Sequence, residues 1–308
     1  MAKSALENPI FQDKTKARKW LESLLWADGR ACGHCGVLNE STPIKSRSGF
    51  YQCNACRKQF SVTVGTVFER SHIPLNKWLM AAFLLCASKK GISAHQMHRM
   101  LGITYKSAWF MCHRLREAMK PAGKLPPLGG EGKYVESDET FYGNKPGMKR
   151  KHMGTKHKHT ILSLVERGGE VRSFHMKDGV GLSLYPTILK NVKRDGTRFR
   201  TDTAAWYKGM SDFIPDHEMV DHTANEYVRG DAYTNTAEGF FSIFKRGMSG
   251  VYQHCGEQHL HRYLAEFDFR YTNRAALEIS DEMRAEKALK GITGKRLTYR
   301  RINKEANA

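Results

Sequence analysis

Four cysteines near the start of the chain have the spacing of metal ligands. Two occur in the stretch CGHCG and two in CNAC, with 17 residues between the pairs: Cys32, Cys35, Cys53 and Cys56. Each C-x2-C knuckle can present two thiolates, so the pairs predict tetrahedral coordination of Zn²⁺ across a hairpin. Because four thiolates leave no open position, this zinc is predicted to be structural. Two disulfides or free thiols are the alternative, and His34 in the first knuckle is interpreted as a surface residue.

Acidic residues in the second half of the chain form another candidate set. The stretch KYVESDETFYGN alternates as a β-strand does, which places Glu136 and Asp138 on one face and Val135 on the other. The stretch RFRTD predicts a short strand that ends at Asp202, and active-site groups of α/β sheets gather where strands end. Glu238 then stands near the head of the helical stretch TNTAEGFFSIFKRG.

The choice among these carboxylates is open at this point. Glu136 and Glu139 compete with Asp138, and Glu139 is the weaker rival because it faces the other side of the strand. Taken singly, each acid could equally be a solvated surface charge. Three further residues close in sequence are predicted to support the set: Asp221, His222 and Asp231.

The charge balance of the whole chain indicates a polyanionic partner. The 308 residues include 50 Lys+Arg and 31 Asp+Glu, a formal net charge of +19. Nucleic acid is the first expectation, although an anionic membrane surface would suit the charge equally. The N-terminus lacks the apolar core of a signal peptide, and the apolar run 78–87 is too short for a membrane span. A cytoplasmic, nucleoid-associated protein of bacterial type, without membrane association, is therefore predicted.

Composition divides the chain into regions that must position these groups. Residues 134–280 alternate strand-like and helical stretches, which predicts an α/β domain. The other four regions are assigned as follows: a zinc ribbon over 1–72, a helix-turn-helix over 73–120, a Pro- and Gly-rich linker over 121–133, and a basic tail over 281–308.

The segment SAHQMHRMLGITYKSAWFMCHRLREAM has the pattern of a helix-turn-helix. Gly102 can supply the turn and Thr104 can cap the second helix. The predicted inner faces consist of Ala94, Met97, Met100, Leu101, Ala108, Met111, Cys112 and Leu115. The side chains left for DNA are Lys106, His113, Arg114 and Arg116, with the first turn of the second helix nearest the bases. A plain helical hairpin is the alternative.

A basic segment, MKRKHMGTKHKH, covers residues 148–159. It is interpreted as a loop that contacts phosphates or as a solvated turn between strands. Its histidines show no metal-ligand spacing among themselves.

Several of these stretches together resemble one family. The chain is similar to zinc-ribbon insertion-sequence transposases with a DDE-type, ribonuclease-H-like catalytic domain, the ISXO2-like transposases. The resemblance runs over roughly residues 10–275. It is carried by VESDETFYGN, TDTAAWY and, above all, TNTAEGFFSIFKRGMSGVYQH with HLHRYLAEFDFRYTNR.

The resemblance implies a fold and a set of roles. The α/β domain would be a ribonuclease-H-like mixed sheet, and Asp138, Asp202 and Glu238 would hold catalytic Mg²⁺, with Mn²⁺ as a substitute. Lys245 stands seven positions after Glu238, where the family has a Lys or Arg that contacts DNA. Seven helical residues return to within about 20° of the starting direction, so both side chains share one face. The neighbouring Arg246 is also expected to contact DNA.

Asn235 complicates the assignment of the third catalytic residue. Some relatives have Asn in this role, and Asn235 precedes Glu238 by about one helical turn. An amide is a poorer metal ligand than a carboxylate because it lacks charge. Glu238 is therefore favoured, and Asn235 is kept as an accessory.

The predicted function is transposition of an insertion sequence. The partners would be double-stranded DNA, as terminal inverted repeats and target, and a homo-oligomer assembled on that DNA. Two alternatives stay open: a domesticated or inactive transposase that acts as a DNA-binding regulator, and a structure-specific nuclease on the same fold.

Overall fold

The computed structural model describes residues 4–148, 154–177, 179, 183–220 and 233–298. Within these ranges the chain forms two compact units. The first contains residues 4–88, 92–121 and 280–298, and the second contains 89–91 and 122–279. No helix in the described ranges has the length and apolar character that a membrane span requires.

In its described residues the first unit contains a small ribbon and five α-helices. The ribbon is an antiparallel sheet of β1 (Ser41–Pro43), β2 (Tyr51–Cys53) and β3 (Gln59–Phe60). The helices are α1 (Lys14–Leu25), α2 (Leu75–Ala87), α3 (Ala94–Leu101), α4 (Tyr105–Met119) and α8 (Asp281–Lys290). Helix α8 lies in the region for which the sequence predicted only a basic tail. It packs on α2, and its Arg284 donates a 2.9 Å hydrogen bond to the carbonyl oxygen of Cys86.

Local chemistry sets the turn between α3 and α4. Gly102 ends α3 in the left-handed conformation, with φ of 58°, and Thr104 caps α4 by accepting a hydrogen bond from the amide of Ser107. Both features agree with the sequence prediction. The function of the pair in DNA binding stays a prediction.

The second unit is a mixed α/β domain with a five-stranded sheet. Its strands are β4 (Lys133–Tyr142), β5 (His159–Glu166), β6 (Val171–Met176), β7 (Thr197–Asp202) and β8 (His217–Val220). The strand order is β6-β5-β4-β7-β8, antiparallel from β6 to β4 and parallel from β4 to β8. This mixed sheet is consistent with a ribonuclease-H-like domain.

Helices cover both faces of this sheet. Helix α5 (Leu184–Asn191) buries Leu184 and Ile188 against the face that carries Val135. On the other face, α6 (Asn235–Gly247) and α7 (Glu257–Thr272) enclose an aromatic core: Phe240, Phe241, Phe244, Tyr263 and Phe267. Gly247 permits this close packing, because a Cβ there would lie 2.5 Å from the ring of Phe267. Much of each face is therefore buried, and polar groups in the buried part need specific partners.

Candidate active site and metal centre

The four ribbon cysteines form one cluster. The Sγ atoms of Cys32 and Cys56 lie 3.8 Å apart, and those of Cys35 and Cys53 lie 3.7 Å apart. A tetrahedral zinc with Zn–S bonds of about 2.3 Å requires S···S distances of about 3.8 Å. All four thiols are free of disulfides, as the sequence interpretation required. The amide of Cys56 donates a 3.4 Å hydrogen bond to the Sγ of Cys53, which favours the thiolate that zinc binds. The cluster supports a structural zinc.

Removal of this zinc is expected to unfold the ribbon. Its apolar core is small: Trp26 packs edge to face against Tyr51 and Phe60 beside the buried cysteines. A core of this size does not hold a three-stranded sheet without its metal. Chelation, or Cys53→Ser, should therefore expose residues 30–60 to limited proteolysis. His34→Ala is the matched control and should keep the zinc, since His34 is exposed and contacts only the carbonyl oxygen of Gln59 among its described partners. A ribbon that resists proteolysis after chelation would contradict the assignment.

Asp138 and Asp202 lie at the same level of neighbouring parallel strands. Ser137 pairs with Thr201, and each aspartate is the next residue of its strand. Strand alternation places both on the face opposite Val135 and Phe199, whose side chains enter the core beneath α5. The sheet register therefore brings two carboxylates together from residues 64 positions apart in sequence.

The charges of Glu238 and Lys245 on α6 act on the carboxyl group of Asp138. The pKa of Asp138 is raised to about 6, chiefly by burial and also by the charges of Asp202 and Glu238. The amide of Glu139 and the ammonium of Lys245 lower the pKa of Asp138. Three carboxylates and one cation thus lie near enough to influence one another, and their catalytic roles stay a prediction.

Glu136 anchors the start of α6 to the sheet. Its side chain is fully buried, and its carboxylate accepts hydrogen bonds from the amide of Ala237 at 2.9 Å and the hydroxyl of Thr236 at 2.8 Å. Arg167 neutralises it through a 2.6 Å ion pair. A carboxylate at a helix N-terminus also interacts favourably with the helix dipole. The sequence presented Glu136 only as a rival of Asp138, and its anchoring contacts involve residues about 100 positions later.

Glu139 faces the other side of β4, as alternation predicted. It accepts a 3.1 Å hydrogen bond from the indole of Trp206 and another from the hydroxyl of Tyr207. Burial raises its pKa to about 8, and the nearby charges of Asp138 and Asp202 contribute. Glu139 thus has different hydrogen-bond partners from Glu136, and its side chain lies on the opposite face of β4 from that of Asp138.

The remaining candidates around α6 are placed as follows. Asn235 is the first residue of α6 and is exposed, as are Glu238 and Lys245. Arg246 is also exposed, and it donates to the carbonyl oxygen and hydroxyl of Ser242 one turn earlier. The predicted supporting residues, Asp221, His222 and Asp231, lie outside the described residues.

The DNA-binding candidates of α4 separate into exposed and buried residues. Lys106 is exposed in the first turn of the helix. His113 and Arg116 are only 1% and 2% exposed, so their prediction as DNA contacts was wrong for this conformation. Arg114 is half-buried and donates to the carbonyl oxygen of Glu69 at 3.0 Å. Met100 of α3, predicted to face inward, is instead 47% exposed. Of the four DNA-binding candidates on α4, the exposed one is therefore Lys106, next to the turn.

Comparison with known proteins gives three matches. Residues 127–272 match the family described as the ISXO2-like transposase domain, and residues 12–59 match the transposase zinc-ribbon domain. A protein of Halobacterium salinarum, described as an uncharacterized protein in transposable element ISH50, is 25% identical over 279 residues. That alignment covers 84% of this chain and 91% of the relative. The ribbon match contains the cysteine cluster, and the longer match contains the three carboxylates.

Proposed function

Since the chain belongs to the ISXO2-like family of insertion-sequence transposases, we propose that it cuts and joins DNA at the terminal inverted repeats of its mobile element. The observation that supports this proposal is the sheet register that sets Asp138 beside Asp202 on one face, with Glu238 and Lys245 of α6 near enough for their charges to act on Asp138. The chain's excess of basic residues, a net +19, supports a DNA substrate.

The carboxylates suit Mg²⁺, or Mn²⁺ in its place. Hard oxygen ligands are the ones this ion prefers, and it keeps water and phosphate in its remaining positions. The pKa of Asp138 is raised by burial and by the charges of Asp202 and Glu238. A bound cation would offset the repulsion between these carboxylates, so the raised pKa supports a metal site. In this proposal Asp138, Asp202 and Glu238 hold the metal. Asn235, an uncharged neighbour at the start of α6, is assigned an accessory role.

The proposed reaction is phosphoryl transfer at a DNA strand. When bound, two such ions stabilise the entering and leaving oxygens of an in-line displacement at phosphorus. In cleavage, the oxygen of water forms the new bond to phosphorus and the 3′-oxygen leaves to become a hydroxyl. In joining, that hydroxyl attacks a target phosphodiester, whose own 3′-oxygen leaves. Strands β4 and β7 and helix α6 fix the carboxylates, and Lys245 supplies a positive charge for a DNA phosphate.

The helix pair α3–α4 is proposed to bind double-stranded DNA through its exposed turn. Lys106→Glu is expected to lower affinity for the terminal repeat by about tenfold and to reduce the salt dependence of binding, because a phosphate contact and its counterion release are lost. Titrations of labelled duplex at several salt concentrations measure both effects. Lys19→Glu, the same charge change at an exposed position of α1, is the control. An equal loss of affinity in both variants would show that only net charge matters.

A cleavage and joining experiment tests the proposed function. Purified chain is mixed with Mg²⁺ and duplexes that carry the DNA bordering its coding sequence. Cleaved ends together with joined products support a transposase, which we expect to act as a homo-oligomer because two ends must be joined. Cleavage without joined products would instead indicate a nuclease. Specific binding without either product would indicate a regulator.

A further inference from the structure

Three side chains of metal-binding types meet at another place in the second unit. They are His159, the first residue of β5, His175 near the end of β6, and Glu257, the first residue of α7. Ser163, the partner of Asp138 in the sheet, is four residues further along β5 than His159. At about 3.4 Å per residue, the group lies roughly 14 Å along the strand from the proposed catalytic carboxylates. It is therefore a separate cluster.

The distances within this cluster are those of ligands to one ion. The Nδ1 atom of His159 and the Nε2 atom of His175 lie 3.2 Å apart, and one donor atom from each of the three residues lies within 4.8 Å of the others. Zn–N bonds of about 2.0–2.1 Å in a tetrahedral site place two nitrogens about 3.3 Å apart. The two histidines thus already have the spacing that zinc requires.

The surroundings favour binding and leave access from solvent. His159 is buried, whereas His175 and Glu257 are half-buried, so an ion can enter from one side and keep a water ligand there. The carboxylate of Glu257 supplies the negative charge of the set, and it offsets part of the charge of Lys145 and Lys177, which also act on His175.

We propose that His159, His175 and Glu257 form a second metal site, for a divalent transition-metal ion with Zn²⁺ as the best match. Two imidazoles and one carboxylate are a ligand set that zinc uses with a fourth, open position. The site would join the ends of β5 and β6 to the first turn of α7. The later part of α7 is already tied to β6, because Asp268 accepts hydrogen bonds from the amide and hydroxyl of Ser173 at 2.8 and 2.6 Å. This proposal is independent of the transposase function.

The experiment is a count of zinc per full-length chain after equilibration with zinc and removal of unbound metal. The wild type is expected to hold two ions, one in the ribbon and one here. His175→Ala and Glu257→Gln should each hold one, while His254→Gln, an exposed histidine just before α7, should hold two. Glu257→Gln keeps the shape of the side chain, so it tests the site even if His175→Ala fails to fold. One ion in the wild type, or two in both site variants, would overturn the proposal.

A thermal measurement gives a second readout that does not depend on DNA cleavage. Zinc added to wild type from which the second ion has been removed should raise the unfolding temperature, because a ligand that binds only the folded state stabilises it. The same addition should leave the unfolding temperature of Glu257→Gln unchanged. An equal rise in both proteins would contradict the assigned ligands.

Discussion

Asp202→Asn is expected to reduce the rate of DNA-end cleavage by at least about 1,000-fold, the scale seen when a principal catalytic group is removed. The amide keeps the size of the side chain but loses the charge that would hold a divalent metal beside Asp138. Terminal-repeat binding should be unchanged, because Asp202 is not a proposed DNA contact and the helix pair α3–α4, which is proposed to bind the duplex, belongs to the other unit. Single-turnover cleavage of a labelled end duplex in Mg²⁺, with a parallel binding titration, measures both quantities.

Asp195→Asn is the matched control for this prediction. Asp195 is an exposed aspartate of the same domain, in the loop that precedes β7, and the same chemical change there should leave cleavage at the wild-type rate. Asp138→Asn should behave as Asp202→Asn does, since the two carboxylates share one region. Cleavage by Asp202→Asn within about tenfold of wild type would exclude this carboxylate from the principal catalytic groups.

Glu136→Ala is expected to lower the free energy of unfolding of the second unit by about 3–5 kcal/mol, the range for breaking a buried ion pair. The substitution leaves Arg167 without its carboxylate and removes the acceptor for the amide of Ala237. Because that amide begins α6, the helix that carries Glu238 should also lose order. Chemical denaturation measures the stability, and hydrogen exchange of the peptide 233–247 measures the helix start.

Lys133→Ala provides the comparison at an exposed ion pair of the same strand. Lys133 contacts Glu166 at 2.9 Å, but its side chain is 57% exposed, so the loss should stay below about 1 kcal/mol. Exchange at the amide of Ala237 should match the wild type in this variant. Equal stabilities for Glu136→Ala and Lys133→Ala would mean that Glu136 does not anchor α6.

Local patterns in the sequence predicted the parts of this fold that local chemistry determines. The C-x2-C pairs predicted the thiol cluster, and strand alternation correctly separated Glu136 and Asp138 from Val135. The turn at Gly102 and the cap at Thr104 depend on neighbouring residues only, so they too were predictable.

Contacts between distant segments explain what the sequence did not predict. Helix α8 returns to the first unit and packs on α4 as well as α2, and Lys295 donates to the carbonyl oxygen of Ala118. More of the circumference of α4 is therefore covered than a two-helix motif predicts, and its His113 and Arg116 are buried. The different contacts of Glu136 and Asp138 on β4 likewise depend on a distant segment. Glu136 lies beneath α6, and the position at which residues 235–247 meet the sheet is not contained in the local pattern.

The cluster of His159, His175 and Glu257 also depends on contacts between distant segments, so the sequence did not predict it. His159 and Glu257 are separated by almost 100 positions, and spacing along the basic segment contained no metal pattern. Only the pairing of β5 with β6 and the position of α7 bring these donors together.

A transposition assay with three proteins tests the central claim, that Glu238 completes the catalytic carboxylates. A marker flanked by the element's ends is offered to wild type, Glu238→Gln and Asn235→Ala, and excised and integrated products are counted. We predict movement with wild type and with Asn235→Ala, and none with Glu238→Gln. Movement with Glu238→Gln at the wild-type rate, together with none in Asn235→Ala, would contradict the account and assign the third role to Asn235.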